Sequence, residues 1–299
     1  MAILEGAQRP SASISPALFA LTTFASAGLV FTVQPMAAKL ILPLLGGSPS
    51  VWNTSMAFFQ VALLVGYAYA HLLQKVAAVR LQAALHVGAL LAAALVLPLG
   101  VSDVFGEPAS DRPVVWLLGV LTLSIGAPFA VLSATAPLVQ AWYARTVDAR
   151  TRAEPYALYA ASNLGSLLAL LAYPTIVEPL TTLKAQTAGW SAGYFAFVLL
   201  MATLALAVSK ARAAKVDSPA VALGPGPSWM QRLTWVALAA APSSLMLGVT
   251  THLATDVASA PFLWVVPLAL YLLTFIIAFS DRPMAPERTT LLLQAIAVA

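Results

Sequence analysis

The fold is decided by the stretch YALYAASNLGSLLALLAYPTIVEP, residues 156–179, which carries no charge from Tyr156 to Val177. A helix of about 20 apolar residues crosses the ~30 Å hydrocarbon core of a bilayer, at ~1.5 Å per residue. The same stretch also contains phenols, hydroxyls and the amide of Asn163, all of which are unfavourable against lipid. It therefore predicts a transmembrane helix whose polar groups meet protein or water.

Similar runs recur along the whole chain and set the fold class. Of the 299 residues, 61% are hydrophobic and 9% charged, whereas soluble domains carry about 25% charged residues. The sequence predicts an all-α, polytopic helical membrane bundle with eight complete spans, at about 16–38, 53–74, 81–100, 114–143, 155–177, 188–208, 233–251 and 260–280. A ninth apolar run begins at Thr289 and stops at Ala299, half-way across a bilayer, so we expect the protein to continue beyond this chain.

The basic residues predict the orientation of the bundle. With the N-terminus in the cytoplasm, Lys39, Arg112 and Lys184 fall outside and the other twelve of the 15 basic residues fall inside. Such a bias is the positive-inside pattern of a plasma-membrane protein. The same pattern explains the net charge of +4 without nucleic acid as a partner.

The predicted spans fall into two groups. Residues 1–15 form a cytoplasmic segment, 16–208 a six-helix bundle, 209–232 a Pro- and Gly-containing cytoplasmic linker, and 233–299 the start of a second, incomplete bundle. A proline precedes a tryptophan by three residues at Pro49–Trp52 and again at Pro261–Trp264. This weak repeat favours a major-facilitator-like arrangement of two parallel halves; the alternative is chance placement of interfacial tryptophans.

Polar residues on two predicted helices are candidates for a solute cavity. On the second helix, Asn53, Gln60 and Tyr67 recur every seven residues and His71 follows one turn later. On the fifth, Tyr159 and Asn163 are one turn apart. These side chains are expected to line a cavity or, alternatively, a packing seam between helices.

A ridge of small residues on the fifth helix predicts close helix packing. Ala157, Ala161, Gly165 and Ala169 are spaced four apart, so they share one face. Small residues allow two helix backbones to approach closely in lipid.

Two charged or titratable pairs are further candidates. Lys39 and Asp256 occupy equivalent outer positions in the proposed repeat, and we expect them to form an outer gate, unless Lys39 simply extends to the interface. His71 and His86 lie near the cytoplasmic ends of neighbouring helices, where they could meet and relay protons.

The sequence favours no enzymatic role for this chain. It has no cysteine, which excludes disulfides and thiolate sites. It also lacks three-histidine metal spacing, a serine–histidine–aspartate set and a nucleotide-binding glycine motif. We predict no metal and no cofactor.

Four long phrases resemble the membrane-embedded front part of bacterial fused major-facilitator/spermidine-synthase-like proteins. They are LLGGSPSVWNTSMAFFQVALLVGYAYAHLL (44–73), APFAVLSATAPLVQAWYA (127–144), PYALYAASNLGSLLALLAYPTIVEP (155–179) and SSLMLGVTTHLATDVASAPFLWVVPLALYLLTFIIAF (243–279). The resemblance implies a bacterial inner membrane protein and a fused or associated Rossmann-like domain similar to aminopropyltransferases. That domain's cofactor turn and acidic residues have no match here, so the resemblance carries over no catalytic residue.

Two functions remain open from the sequence. One is a transporter or channel for a small polar or cationic solute, such as a polyamine. The other is a membrane anchor or scaffold for a soluble aminopropyltransferase-like domain beyond this chain. In both, the lipid bilayer is a partner.

Overall fold

The computed structural model describes residues 14–46, 48–101, 104, 106–108, 112–146, 156–210, 226–253 and 265–278, together with 286, 288–290, 292 and 296. The main helices of this part are α1 (Pro16–Leu45), α2 (Pro49–Gln74), α3 (Val79–Val96), α4 (Pro113–Thr146), α5 (Ala157–Leu180), α6 (Leu183–Lys210), α7 (Trp229–His252) and α8 (Val265–Ala278).

The described residues form an all-helical membrane bundle. Helices α1 to α7 are each long and apolar enough to cross a bilayer, and α8 is a shorter apolar helix. This confirms a multi-pass helical membrane protein, which follows from composition because only helices satisfy every backbone polar group within one segment in lipid. Eight complete spans and a major-facilitator-like arrangement stay predictions.

Helix α1 lies at the centre of the first six helices. Its largest contact is with α5, and it also packs on α4 and α6. A Cβ added to Gly165 of α5 would clash with the backbone carbonyl of Phe24 in α1. A Cβ added to Gly66 of α2 would clash in the same way with the backbone carbonyl of Ala130 in α4. Glycine is required at both positions because the two backbones touch.

Buried hydrogen bonds join the helices as well. Ser26 of α1 donates to the Leu132 carbonyl of α4 at 2.8 Å, and Trp190 of α6 donates to the Leu29 carbonyl of α1 at 3.0 Å. Tyr194 of α6 donates to the Leu90 carbonyl of α3 at 3.0 Å. Such bonds stabilise helix association in lipid, where no hydrophobic effect drives helices together.

Two helices extend further than hydropathy alone predicts. Helix α1 continues past residue 38 through Lys39 to Leu45, and α5 continues past residue 177 through Glu178 to Leu180. The two charges pair with each other, with Lys39 Nζ 2.6 Å from Glu178 Oε2. Lysine and glutamate are both good helix formers, so neither charge ends its helix.

Short π-helical segments interrupt two of the spans. Thr122–Gly126 interrupts α4 and Tyr173–Val177 interrupts α5. A π-turn holds one extra residue, so it changes which side of the helix the following side chains occupy.

Helix α7 stands apart from the first six helices, whereas α8 packs on α5. Helix α7 begins after a capping box between Ser228 and Gln231 and contains no buried residue. Helix α8 reaches the bundle through α5, where Val265 and Leu272 pack on Leu170. The predicted linker 209–232 falls mainly outside the described residues, since 211–225 are not among them.

Candidate functional site

Helix α2 has a packed side and a polar side. Its buried residues share one face, which packs mainly against α4: Ser55, Phe58, Phe59, Ala62, Gly66, Ala70 and Leu73. At 100° per residue, Asn53, Gln60, Tyr67 and His71 lie within about 40° of one another on the opposite face. All four are exposed at the surface of the bundle.

A third face of α2 carries mostly aliphatic side chains. Val61, Val65 and Leu72 are 60%, 55% and 60% exposed and lie about 100° around the helix from the polar residues. Aliphatic side chains of this kind suit contact with lipid tails. The polar residues lie mostly to one side of this aliphatic face, although the 63% exposed Leu64 lies among them, about 20° around the helix from Asn53 and His71.

Two further polar candidates lie on α5. Tyr159 is 42% exposed, against 47% for Tyr67 on α2. One turn beyond Tyr159, Asn163 is half-buried, and its amide donates to the Tyr159 carbonyl at 2.8 Å. We call Asn53, Gln60, Tyr67, His71, Tyr159 and Asn163 the polar face.

The ridge of small residues on α5 lies closer to the bundle. Gly165 and Ala169 are buried, and Ala157 and Ala161 are half-buried. Gly165 lies against α1 at Phe24 and Gly28. The tight α1–α5 contact thus sits beside the polar residues of α5.

The predicted outer gate pair cannot be followed as a pair, because Asp256 lies outside the described residues. Lys39 is in contact with Glu178 of α5 instead. The sequence analysis did not pair Lys39 with Glu178.

A second, fully buried polar cluster lies between α3 and α4. The indole of Trp142 donates to Gln82 Oε1 at 2.8 Å, and His86 Nε2 lies 3.3 Å from the hydroxyl oxygen of Thr135. The Tyr69 ring stacks on the His86 ring at 5.9 Å. Sequence analysis missed this cluster, although Gln82 and His86, one turn apart in an apolar helix, were a signal for it.

His71 of α2 and His86 of α3 do not face each other, because they lie on different sides of α2. His86 contacts Tyr69 on the packed side, whereas His71 follows Tyr69 by two residues and so points about 160° away around the helix. The expected His71–His86 relay is therefore not formed in this arrangement.

A small pocket in the described part of the chain lies between α1, α4 and residues 100–101. It has room for about one water molecule and is lined mostly by aliphatic side chains such as Ile41 and Val120. It lies away from the polar face. Within the described residues, no three histidine, aspartate or glutamate side chains cluster as metal ligands do.

Comparison with protein-family models, with curated proteins and with solved structures gave no match for this chain.

Proposed function

We propose that this chain is the multi-pass membrane module of a spermidine-synthase-like protein of the bacterial inner membrane, with its N-terminus in the cytoplasm. In this proposal the module moves a small polar or cationic solute along the polar face. The family and orientation rest on the sequence resemblance and on the basic-residue bias.

One observation carries the transport proposal: the polar residues of α2 share the face opposite its packed side. An amide exposed to lipid is unfavourable. Since Gln60 and Asn53 do not pack into the first six helices, their face is expected to border water or further protein. Tyr159 and Asn163 on α5 supply further polar side chains, which the proposal assigns to the same path.

The alternative is a membrane anchor or scaffold that positions a soluble aminopropyltransferase-like domain. One observation favours it: the polar face consists of amides, phenols and an imidazole, with no carboxylate to bind a cation. In this case another protein segment covers the polar face and no solute moves along it.

Uptake into liposomes separates the two functions. Reconstituted protein would be tested with radiolabelled putrescine and with mannitol as an uncharged polar solute. Under the transport proposal, uptake of one solute exceeds that of empty liposomes, and Gln60→Leu or Asn163→Leu reduces it to that background. Val61→Leu, on the aliphatic face at the same depth as Gln60, is the matched control and keeps wild-type uptake.

Uptake at background by folded wild-type protein, for both solutes, would contradict the transport proposal and favour the scaffold. An equal loss of solute uptake in the Gln60→Leu and Val61→Leu variants would contradict the role proposed for the polar face.

A further inference from the structure

The Lys39–Glu178 pair joins α1 and α5 at one end of their contact. Lys39 Nζ lies 2.6 Å from Glu178 Oε2, and the two side chains are 31% and 30% exposed. Glu178 Oε2 itself is buried and accepts no hydrogen bond of good geometry from the described residues. The contact is therefore an ion pair on which this carboxylate oxygen depends.

The π-turn of α5 puts Glu178 in position for this contact. The Glu178 N–H donates to the carbonyl of Tyr173, five residues earlier. In an α-helix, residues five apart point about 140° from each other, but a π-turn places them on nearly the same face. Tyr173 is buried and donates from its hydroxyl to Gln186 Oε1 at 2.8 Å. Glu178 thus lies on the packed side of α5.

Lys39 reaches the same place from α1. It follows Gly28 by eleven residues, about three full turns, so the two lie within about 20° on one face. That face meets α5, because a Cβ added to Gly28 would lie 3.9 Å from the Gly165 carbonyl oxygen. The ion pair therefore lies at the end of the α1–α5 contact nearest to Gly46 and residues 181–182, which is the predicted outer end.

Two properties suit this pair to open and close. Removing one partner would leave an uncompensated charge at the membrane edge, which favours the closed pair. Both side chains are nevertheless about one-third exposed, so water can hydrate the charges once they separate. A fully buried pair would not separate as readily.

We propose that Lys39 and Glu178 form an electrostatic latch that holds α1 and α5 together at the predicted outer end, and that breaking it opens this helix contact. Its use as a gate rests on the proposed transport function. The latch itself is defined by helix separation, which is measured without transport.

The absence of cysteine from the sequence makes a labelling test direct. Thr32 is half-buried, one turn beyond Gly28 on the face of α1 that meets α5, and about 10 Å along the helix from Lys39. Thr32→Cys in the full chain, reconstituted in liposomes, would be labelled with a membrane-impermeant maleimide. Little labelling is expected while the latch is closed.

Single charge-neutralising changes should open the contact. We expect Lys39→Gln and Glu178→Gln each to raise the labelling rate by about tenfold, which corresponds to ~1.4 kcal/mol of closing free energy. The reciprocal exchange Lys39→Glu with Glu178→Lys restores the pair and should return the rate to that of Thr32→Cys alone. Glu107 lies in the connection between α3 and α4. Glu107→Gln is therefore the matched control and should leave the labelling rate of Thr32→Cys unchanged.

Unchanged labelling in folded single variants, or an exchange variant as fast as the single ones, would overturn the latch. If a single variant does not fold, the exchange variant provides the test. An exchange variant that folds and is labelled slowly supports the latch, whereas an exchange variant that does not fold contradicts it. Failure of solute uptake with the expected labelling pattern would contradict the proposed function while leaving the latch intact.

Discussion

Gly165 of α5 lies directly against the backbone of Phe24 in α1, so closely that the space for a Cβ is taken by the Phe24 carbonyl. Gly165→Ala should therefore force α1 and α5 apart and reduce stability by about 1–3 kcal/mol, as overpacking does. Thermal unfolding of the purified protein in detergent measures this loss.

The matched control is Gly189→Ala in α6, where an added Cβ meets nothing within 4 Å. Alanine is the better helix former, so this variant should be neutral or slightly stabilised. Equal melting temperatures for the two variants would show that the α1–α5 contact is looser than described.

The buried indole of Trp142 is the partner of Gln82 Oε1. Trp142→Phe removes the donor, leaves the amide oxygen unsatisfied and opens a small cavity, so we expect a loss of about 1–3 kcal/mol. Trp229→Phe is the control, because Trp229 is 72% exposed, and should not change the unfolding midpoint. A similar loss in both variants would argue against the buried hydrogen bond.

The hydroxyl of Thr135 is the partner of His86 Nε2 in the same buried cluster. Thr135→Val keeps the shape but removes this partner, and we expect a loss of about 1–2 kcal/mol in unfolding free energy. Thr203→Val is a fair comparison, because the exposed Thr203 hydroxyl bonds only within its own helix, to the Leu199 carbonyl. If the two valine variants unfold alike, the His86–Thr135 contact contributes nothing.

Much of the fold follows from hydropathy, because a membrane-spanning helix must be long and apolar wherever it packs. The observed spans accordingly start and end near the predicted positions. The exceptions are informative: α1 and α5 were expected to stop before Lys39 and Glu178. A sequence pattern detects each charge singly, whereas their contact depends on the packing of α1 on α5 and on the π-turn that precedes Glu178.

The candidate site was less accessible from the sequence. The seven-residue spacing of Asn53, Gln60 and Tyr67 predicts a shared face, but not which side of α2 packs. The packed side is the one that carries Gly66, because its backbone lies against the carbonyl of Ala130 in α4. The polar side lies opposite. The pairing of His86 with Thr135 likewise depends on tertiary contacts that no local spacing encodes.

A solute path along α2 requires that the polar side of this helix borders water, and labelling of single cysteines tests this directly. Gln60→Cys and Val61→Cys lie at nearly the same depth but about 100° apart around the helix. With a membrane-impermeant maleimide applied to reconstituted protein, we predict rapid reaction at position 60 and little at position 61. Equally slow reaction at both positions, or faster reaction at 61, would contradict a solute path along α2.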